Sequence, residues 1–119
     1  GAEQPLLTVF DKVSKLLFVQ LQSGRCTSDR IARQLGCDRR TLHRRLASES
    51  TTFDKVLNGV RTELAVCLLQ NRNASLAEAA DLLGFSSGSA FSRWFLGAFG
   101  KRPSEWRKDF GVGADGAGD

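Results

Sequence analysis

Arginine carries most of the chemical capacity of this chain, and it is unevenly placed. Between positions 25 and 45 the basic residues are Arg25, Arg30, Arg33, Arg39, Arg40, Arg44 and Arg45, against only Asp29 and Asp38. A further arginine, Arg93, stands alone in AADLLGFSSGSAFSRWF, residues 79–95. The guanidinium is planar, permanently charged and presents its donors as a rigid fork, which suits bidentate contacts with anionic or paired acceptors. The residues for covalent or acid–base chemistry are scarce by comparison. His43 is the single histidine, and no Gly-rich phosphate loop, metal-ligand cluster or nucleophile-His-acid set occurs, so the sequence argues against an enzyme and calls for no cofactor or metal. Cys26, Cys37 and Cys67 are odd in number and lack C-x-x-C spacing, which predicts free, mostly buried thiols in a reducing compartment.

The chain that must position these arginines is short. Its 119 residues suffice for one small domain, or for two subdomains sharing an element. Seventeen Lys and Arg against thirteen Asp and Glu give a formal charge of +4, compatible with an anionic partner and equally with a solvated surface. No apolar run reaches the ~18–20 residues that span a bilayer, and no signal-peptide pattern opens the chain. A soluble cytoplasmic protein without a membrane partner is expected. Methionine is absent even at position 1, so the sequence reads as an excised piece, with Gly1-Ala2 a cloning remnant and an upstream part missing.

Helical periodicity runs through the chain and strand alternation does not, so the fold is predicted to be all-α with about seven helices. Val9, Phe10, Val13, Leu16, Leu17 and Leu21 mark a first helix over about 8–22, closed at Ser23-Gly24. A Thr27 cap opens a second, with Ile31, Ala32 and Leu35 facing inward and Gly36 at its end. Asp38 caps a third, about 39–49, held by Leu42 and Leu46. Thr52 opens the longest, about 53–71, in which Gly59 suggests a close packing contact. Ser75 and Glu78 form a capping box for a fifth helix, about 76–83, closed by Gly84. Ser86 or Ser87 caps a sixth, reaching about Leu96, and Pro103 begins a short seventh over about 103–109. Residues 1–7 are expected to be remnant and linker, and 110–119 a disordered tail.

Two segments repeat. Ile31-Ala32-Arg33-Gln34-Leu35-Gly36-Cys37 parallels Ala79-Ala80-Asp81-Leu82-Leu83-Gly84-Phe85, and Leu42-His43-Arg44-Arg45-Leu46 parallels Phe91-Ser92-Arg93-Trp94-Phe95, with one extra residue in the second turn. Helix, glycine turn, helix is the helix-turn-helix pattern. The apolar pairs hold each second helix down, and Arg44 and Arg93 occupy matching outward positions. A single such corner is a common packing device; two with a matched arginine point to recognition of a polyanion.

At these residues the sequence closely resembles the AraC/XylS family of bacterial transcription regulators, over about Thr8 to Arg107. Residues 75–86, Phe91-Ser92-Arg93-Trp94-Phe95, Phe99-Gly100 and Pro103-Ser104-Glu105-Trp106-Arg107 look like the family signature A-x-x-x-G-F-x-x-x-x-x-F-x-R-x-F…F-G-x-x-P-x-x-[YW]-R. Residues 61–69 resemble the R-x-x-x-A-x-x-L-L run of its connecting helix. Ser23-Gly24-Arg25 and Arg39-Arg40-Thr41-Leu42 look like the subgroup with an arabinose-binding-type N-terminal sensor domain. The resemblance implies a homeodomain-like DNA-binding domain over 8–109. Its first helix-turn-helix falls at 28–49, the linker helix at 53–71 and the second helix-turn-helix at 76–96. The two recognition helices would enter successive major grooves of promoter DNA. A helix of nearly twenty residues is about 27–30 Å long, against about 34 Å per DNA turn. RNA polymerase is the second partner implied. A small-molecule effector is expected only for the missing N-terminal domain, and the nucleoid is the expected location.

Carried over by position, Arg40, His43 and Arg44 would read bases in the first unit, and Ser89, Ser92 and Arg93, with Gly88 beside them, in the second. Arginine donates twice to guanine O6 and N7, worth ~1–3 kcal/mol of discrimination. His43 also fits a solvated surface histidine. Arg39, Ser86 and Ser104 would hold phosphates. Arg30, Arg33 and Arg45 read as solvated helix charge, Trp94 and Trp106 as packing residues, and Arg61 as a hydrogen-bonded brace between the subdomains. Two departures stand out. Arg102 replaces the serine cap common before the proline, adding charge near the DNA backbone. Gly88 and Ser89 are small where longer polar side chains are usual, so the second unit would lean on Arg93. The competing reading is a helical protein-interaction module without DNA binding; RNA binding lacks an aromatic sheet platform.

Overall fold

A computed structural model describes residues 7–23, 26–71 and 73–115, with side chains as far as Asp109. The Gly24 stop, Arg25, the expected remnant at residues 1–6 and the last four residues of the tail lie outside the described residues. Seven α-helices and no strand occur among those described: α1 (Val9–Gln20), α2 (Ser28–Gln34), α3 (Arg39–Ser48), α4 (Phe53–Gln70), α5 (Leu76–Leu82), α6 (Gly88–Phe99) and α7 (Pro103–Asp115). None is long and apolar enough to cross a membrane. The chain divides inside α4 into two compact units, Gly1–Val60 and Arg61–Asp119.

In the first unit α1 packs on α2 and α3, and α2 on α3. Thr8 and Asp11 form a reciprocal capping box that starts α1. Val13, Leu17 and Leu21 repeat every four residues and are buried, against Ile31, Ala32, Leu42 and Leu46 of the other two helices. Phe10, grouped with that stripe by spacing, stays 44% exposed. A tertiary cap completes the start of α1: the Glu49 carboxylate accepts from the backbone N–H of Val9 and of Phe10, both at 2.9 Å. Gln20 and Gln34 exchange amide hydrogen bonds at 2.6 and 3.1 Å, tying α1 to α2.

α3 ends in an unusual residue. Ser50 sits at φ 62°, the left-handed region, while its N–H bonds to the Ala47 carbonyl and the Thr51 N–H to that of Leu46. This is the hydrogen-bond pattern that glycine normally closes, and a side chain there costs about 1–2 kcal/mol. Ser50→Gly, which also loosens the unfolded chain, is therefore expected to stabilise the protein by about 1 kcal/mol and to raise the melting temperature by about 4–8 °C. A thermal melt checks this; an unchanged or lower midpoint would mean that the serine side chain compensates.

Thr52 caps α4 by accepting from the Lys55 N–H at 3.2 Å, and Phe53, Val56 and Val60 are buried in the first unit. The close contact expected at Gly59 is absent: a Cβ there would meet nothing within 4 Å. Cys26 and Cys37 are half-buried and Cys67 is exposed, so the thiols, none of them in a disulfide, are not mostly buried. Cys67 lies two residues from both Ala65 and Leu69, which are buried, and two residues turn a helix by about 200°, away from that stripe.

In the second unit Ser75 and Glu78 form the expected capping box of α5. The core is aromatic. Phe95 is fully buried and stacks on Phe99 at 4.1 Å between centroids, with Phe91, Trp94 and Trp106 edge-on at 5.8, 6.1 and 6.0 Å. Trp106 is buried and Trp94 half-buried, both as packing residues. Arg107 reaches back to the end of α4, donating from Nε to the Leu69 carbonyl at 3.0 Å and from Nη2 to those of Leu68 and Asn71. The guanidinium adds a second donor to the Leu68 and Asn71 carbonyls, which already accept from the Asn71 and Ala74 N–H groups, and as a cation it opposes the negative helix end. α7 continues to Asp115, well past 109. Composition alone suggested disorder there, but extending a nucleated helix gains a hydrogen bond per residue fixed, and an interior glycine costs only about 1 kcal/mol.

Candidate nucleic-acid interface

Both turns close by the same backbone device. After α2, the Cys37 N–H bonds to the Ala32 carbonyl and the Gly36 N–H to that of Arg33; after α5, the Phe85 N–H bonds to Ala80 and the Gly84 N–H to Asp81, all at 3.0–3.1 Å. Gly36 and Gly84 adopt φ 79° and 81°, where a Cβ would be strained, so glycine is what lets the chain reverse out of the helix.

Each second helix then starts on a side-chain cap. Asp38 accepts from the Thr41 N–H at 2.7 Å, and Ser87, not Ser86, accepts from the Ala90 N–H at 3.1 Å. The Thr41 backbone hydrogen bond, followed by its side-chain hydrogen bond and the nearby Arg40 and Arg44 charges, holds the Asp38 carboxyl below the usual carboxylate range despite an opposing burial effect. Counted from their caps, α3 and α6 coincide. Leu42 and Phe91 fall on the fourth helical residue and Leu46 and Phe95 on the eighth, all buried.

Facing away from those anchors are the outward rows. Arg40, His43 and Arg44 stand at i, i+3 and i+4 on α3, forming one face, and all three are exposed. The corresponding α6 row is Ser89, Ser92 and Arg93, of which Ser92 is half-buried and the others exposed. Gly88 is exposed, and a Cβ there would meet nothing within 4 Å. Arg39, Ser86 and Ser104 are exposed at the first residue of α3, in the second turn and at the second residue of α7. Arg39 faces Asp29 at 4.0 Å, an exposed pair that leaves its charge available. Beside α6 runs a groove of about 550 Å³, whose lining includes Leu76, Ser89, Arg93, Leu96 and Arg102.

A family model described as a helix-turn-helix domain matches residues 31–109, the span that holds both turns and both rows. The chain belongs to the AraC-type helix-turn-helix family. It is 41% identical over 80 residues to the ornithine utilization regulator of Pseudomonas aeruginosa, covering 67% of the chain and 24% of that relative. It is 34% identical over 105 residues to the transcriptional regulator VirS of Mycobacterium tuberculosis, covering 88% and 31%. Among solved structures it is similar to a DNA-binding transcriptional dual regulator from Escherichia coli K-12, with TM-score 0.80 and 25% identity over 92% of this chain and 96% of that one. The chain thus spans about a quarter to a third of the curated relatives it matches.

Within this AraC-type domain several contacts escaped the sequence. Arg61, read as a brace between subdomains, makes described contacts inside the second unit, donating from Nε to the Leu83 carbonyl at 3.2 Å and lying 4.4 Å from the centroid of Phe85. The guanidinium stacks on the ring beside the turn it supports. Leu96 was placed at the end of a helix that in fact runs to Phe99, and it is 44% exposed. The signal was present: Leu96 lies three residues beyond Arg93, which continues the outward row by one turn.

Proposed function

We propose that this AraC-type domain binds double-stranded promoter DNA sequence-specifically, with α3 and α6 entering successive major grooves, as part of a bacterial transcription regulator that acts as an activator. One observation carries the reading: two helices, set on glycine turns closed by the same hydrogen bonds and pinned by matched buried pairs, both present an exposed arginine at the sixth helical residue. Arg40, His43 and Arg44 read bases in one half-site, and Arg93 with Ser89 and Ser92 in the other. Arg39, Ser86 and Ser104 hold phosphates. RNA polymerase is the protein partner, in the bacterial cytoplasm, and an effector would act on a separate sensor domain.

Selection from random duplexes, followed by sequencing, tests this directly. A preferred site with two informative blocks about ten base pairs apart is expected, with affinity falling steeply as salt rises through counterion release. Failure to enrich any sequence, with no salt-dependent binding, would favour the protein-interaction module instead.

A further inference from the structure

Arg102 stands outside the recognition row yet shares a groove with it. The groove beside α6 has an apolar floor that includes Leu76, Phe91 and Leu96, with Ser89, Arg93 and Arg102 also lining it. Both guanidiniums are exposed, and among the described residues neither has a hydrogen-bond or carboxylate partner. The adjacent cation differs, since Lys101 is paired with Asp109. Arg102 is also not held by its helix. Its backbone N–H donates to Glu105 Oε1 at 3.1 Å, which satisfies the start of α7 through the main chain and leaves the side chain uncommitted. That same carboxylate puts a negative charge at the α7 N-terminus, so a phosphate held there by Ser104 gains from the positive charge of the Arg102 guanidinium.

We infer that Arg102 is a phosphate-binding side chain of the second unit, gripping the DNA backbone across the groove from Arg93, which enters the base edges. The inference rests on the DNA-binding reading above. It also accounts for how a recognition helix with Gly88 and Ser89 at its start stays engaged: the backbone grip supplies affinity that base contacts there do not, and it does so without regard to sequence.

The test compares the full chain with Arg102→Ala and Arg102→Lys on a selected duplex and on a scrambled one, across a salt series. Neutralising one phosphate contributes about 0.9 to the slope of log affinity against log salt. Arg102→Ala should therefore flatten the slope by about 0.9, so that a threefold rise in salt costs the variant about 2.7-fold less than the wild type. The loss should be equal on both duplexes, and Arg102→Lys should restore most of it. A wild-type slope shared by Arg102→Ala, or a loss confined to the selected duplex, would overturn the assignment while leaving DNA binding intact. No salt-dependent binding by the wild type would overturn both. Circular dichroism confirms folding of each variant.

Discussion

Phe95→Ala is expected to destabilise the second helix-turn-helix by about 3–5 kcal/mol. Phe95 is fully buried and touches four other aromatic rings, so its removal leaves a cavity whose walls come from α6 and α7. Rings fixed in stacked and edge-on arrangements collapse poorly into such a space, which puts the cost toward the upper end. Total stabilities of domains this size are about 5–15 kcal/mol, so the variant forfeits a large share of its stability and should melt well below the wild type. Both tryptophans of the chain, Trp94 and Trp106, lie in this unit and against Phe95, so their fluorescence reports the change. A loss below about 1 kcal/mol in denaturant titration would show that the cluster is not the anchor described here.

The second large effect concerns recognition. Arg44→Ala and Arg93→Ala should each lower discrimination at one base pair by about 1–3 kcal/mol, roughly 5–150-fold, at positions about ten base pairs apart. The two should not be equal in affinity. Arg44 is flanked on its face by Arg40 and His43, whereas Arg93 is flanked by serines, so losing Arg93 removes the one long polar side chain of that row. Competition binding against single-base variants of a selected site measures this. Equal weakening on selected and scrambled DNA would reassign both arginines to the phosphate backbone.

Much of the fold was legible because its determinants are local. The Thr27, Asp38 and Ser75 caps and the Gly36 and Gly84 turns each depend on residues within a few positions, and glycine after an apolar run carries its own conformational meaning. The outward rows were equally legible, since the buried partners Leu42, Leu46, Phe91 and Phe95 fix the opposite face. What escaped depends on distant partners or on position overriding type. Nothing near Glu49 marks it as a cap for α1, and nothing near Arg107 marks it as a cap for α4. Ser50 is not a residue type that announces left-handed backbone. Cys67 was judged by the average burial of cysteine, when its offset from Ala65 and Leu69 on the helix already placed it outward.

The tertiary cap by Glu49 also bears on where the cooperative structure begins. The family match opens at Ile31, inside α2, yet α1 supplies Val13, Leu17 and Leu21 to the core and receives the Glu49 carboxylate across some forty positions. A fragment trimmed to the matched boundary would expose the apolar backs of α2 and α3 to water and strand a carboxylate without its two amides. The exposed Arg40, His43 and Arg44 row is therefore held in place by a helix that lies outside the matched span.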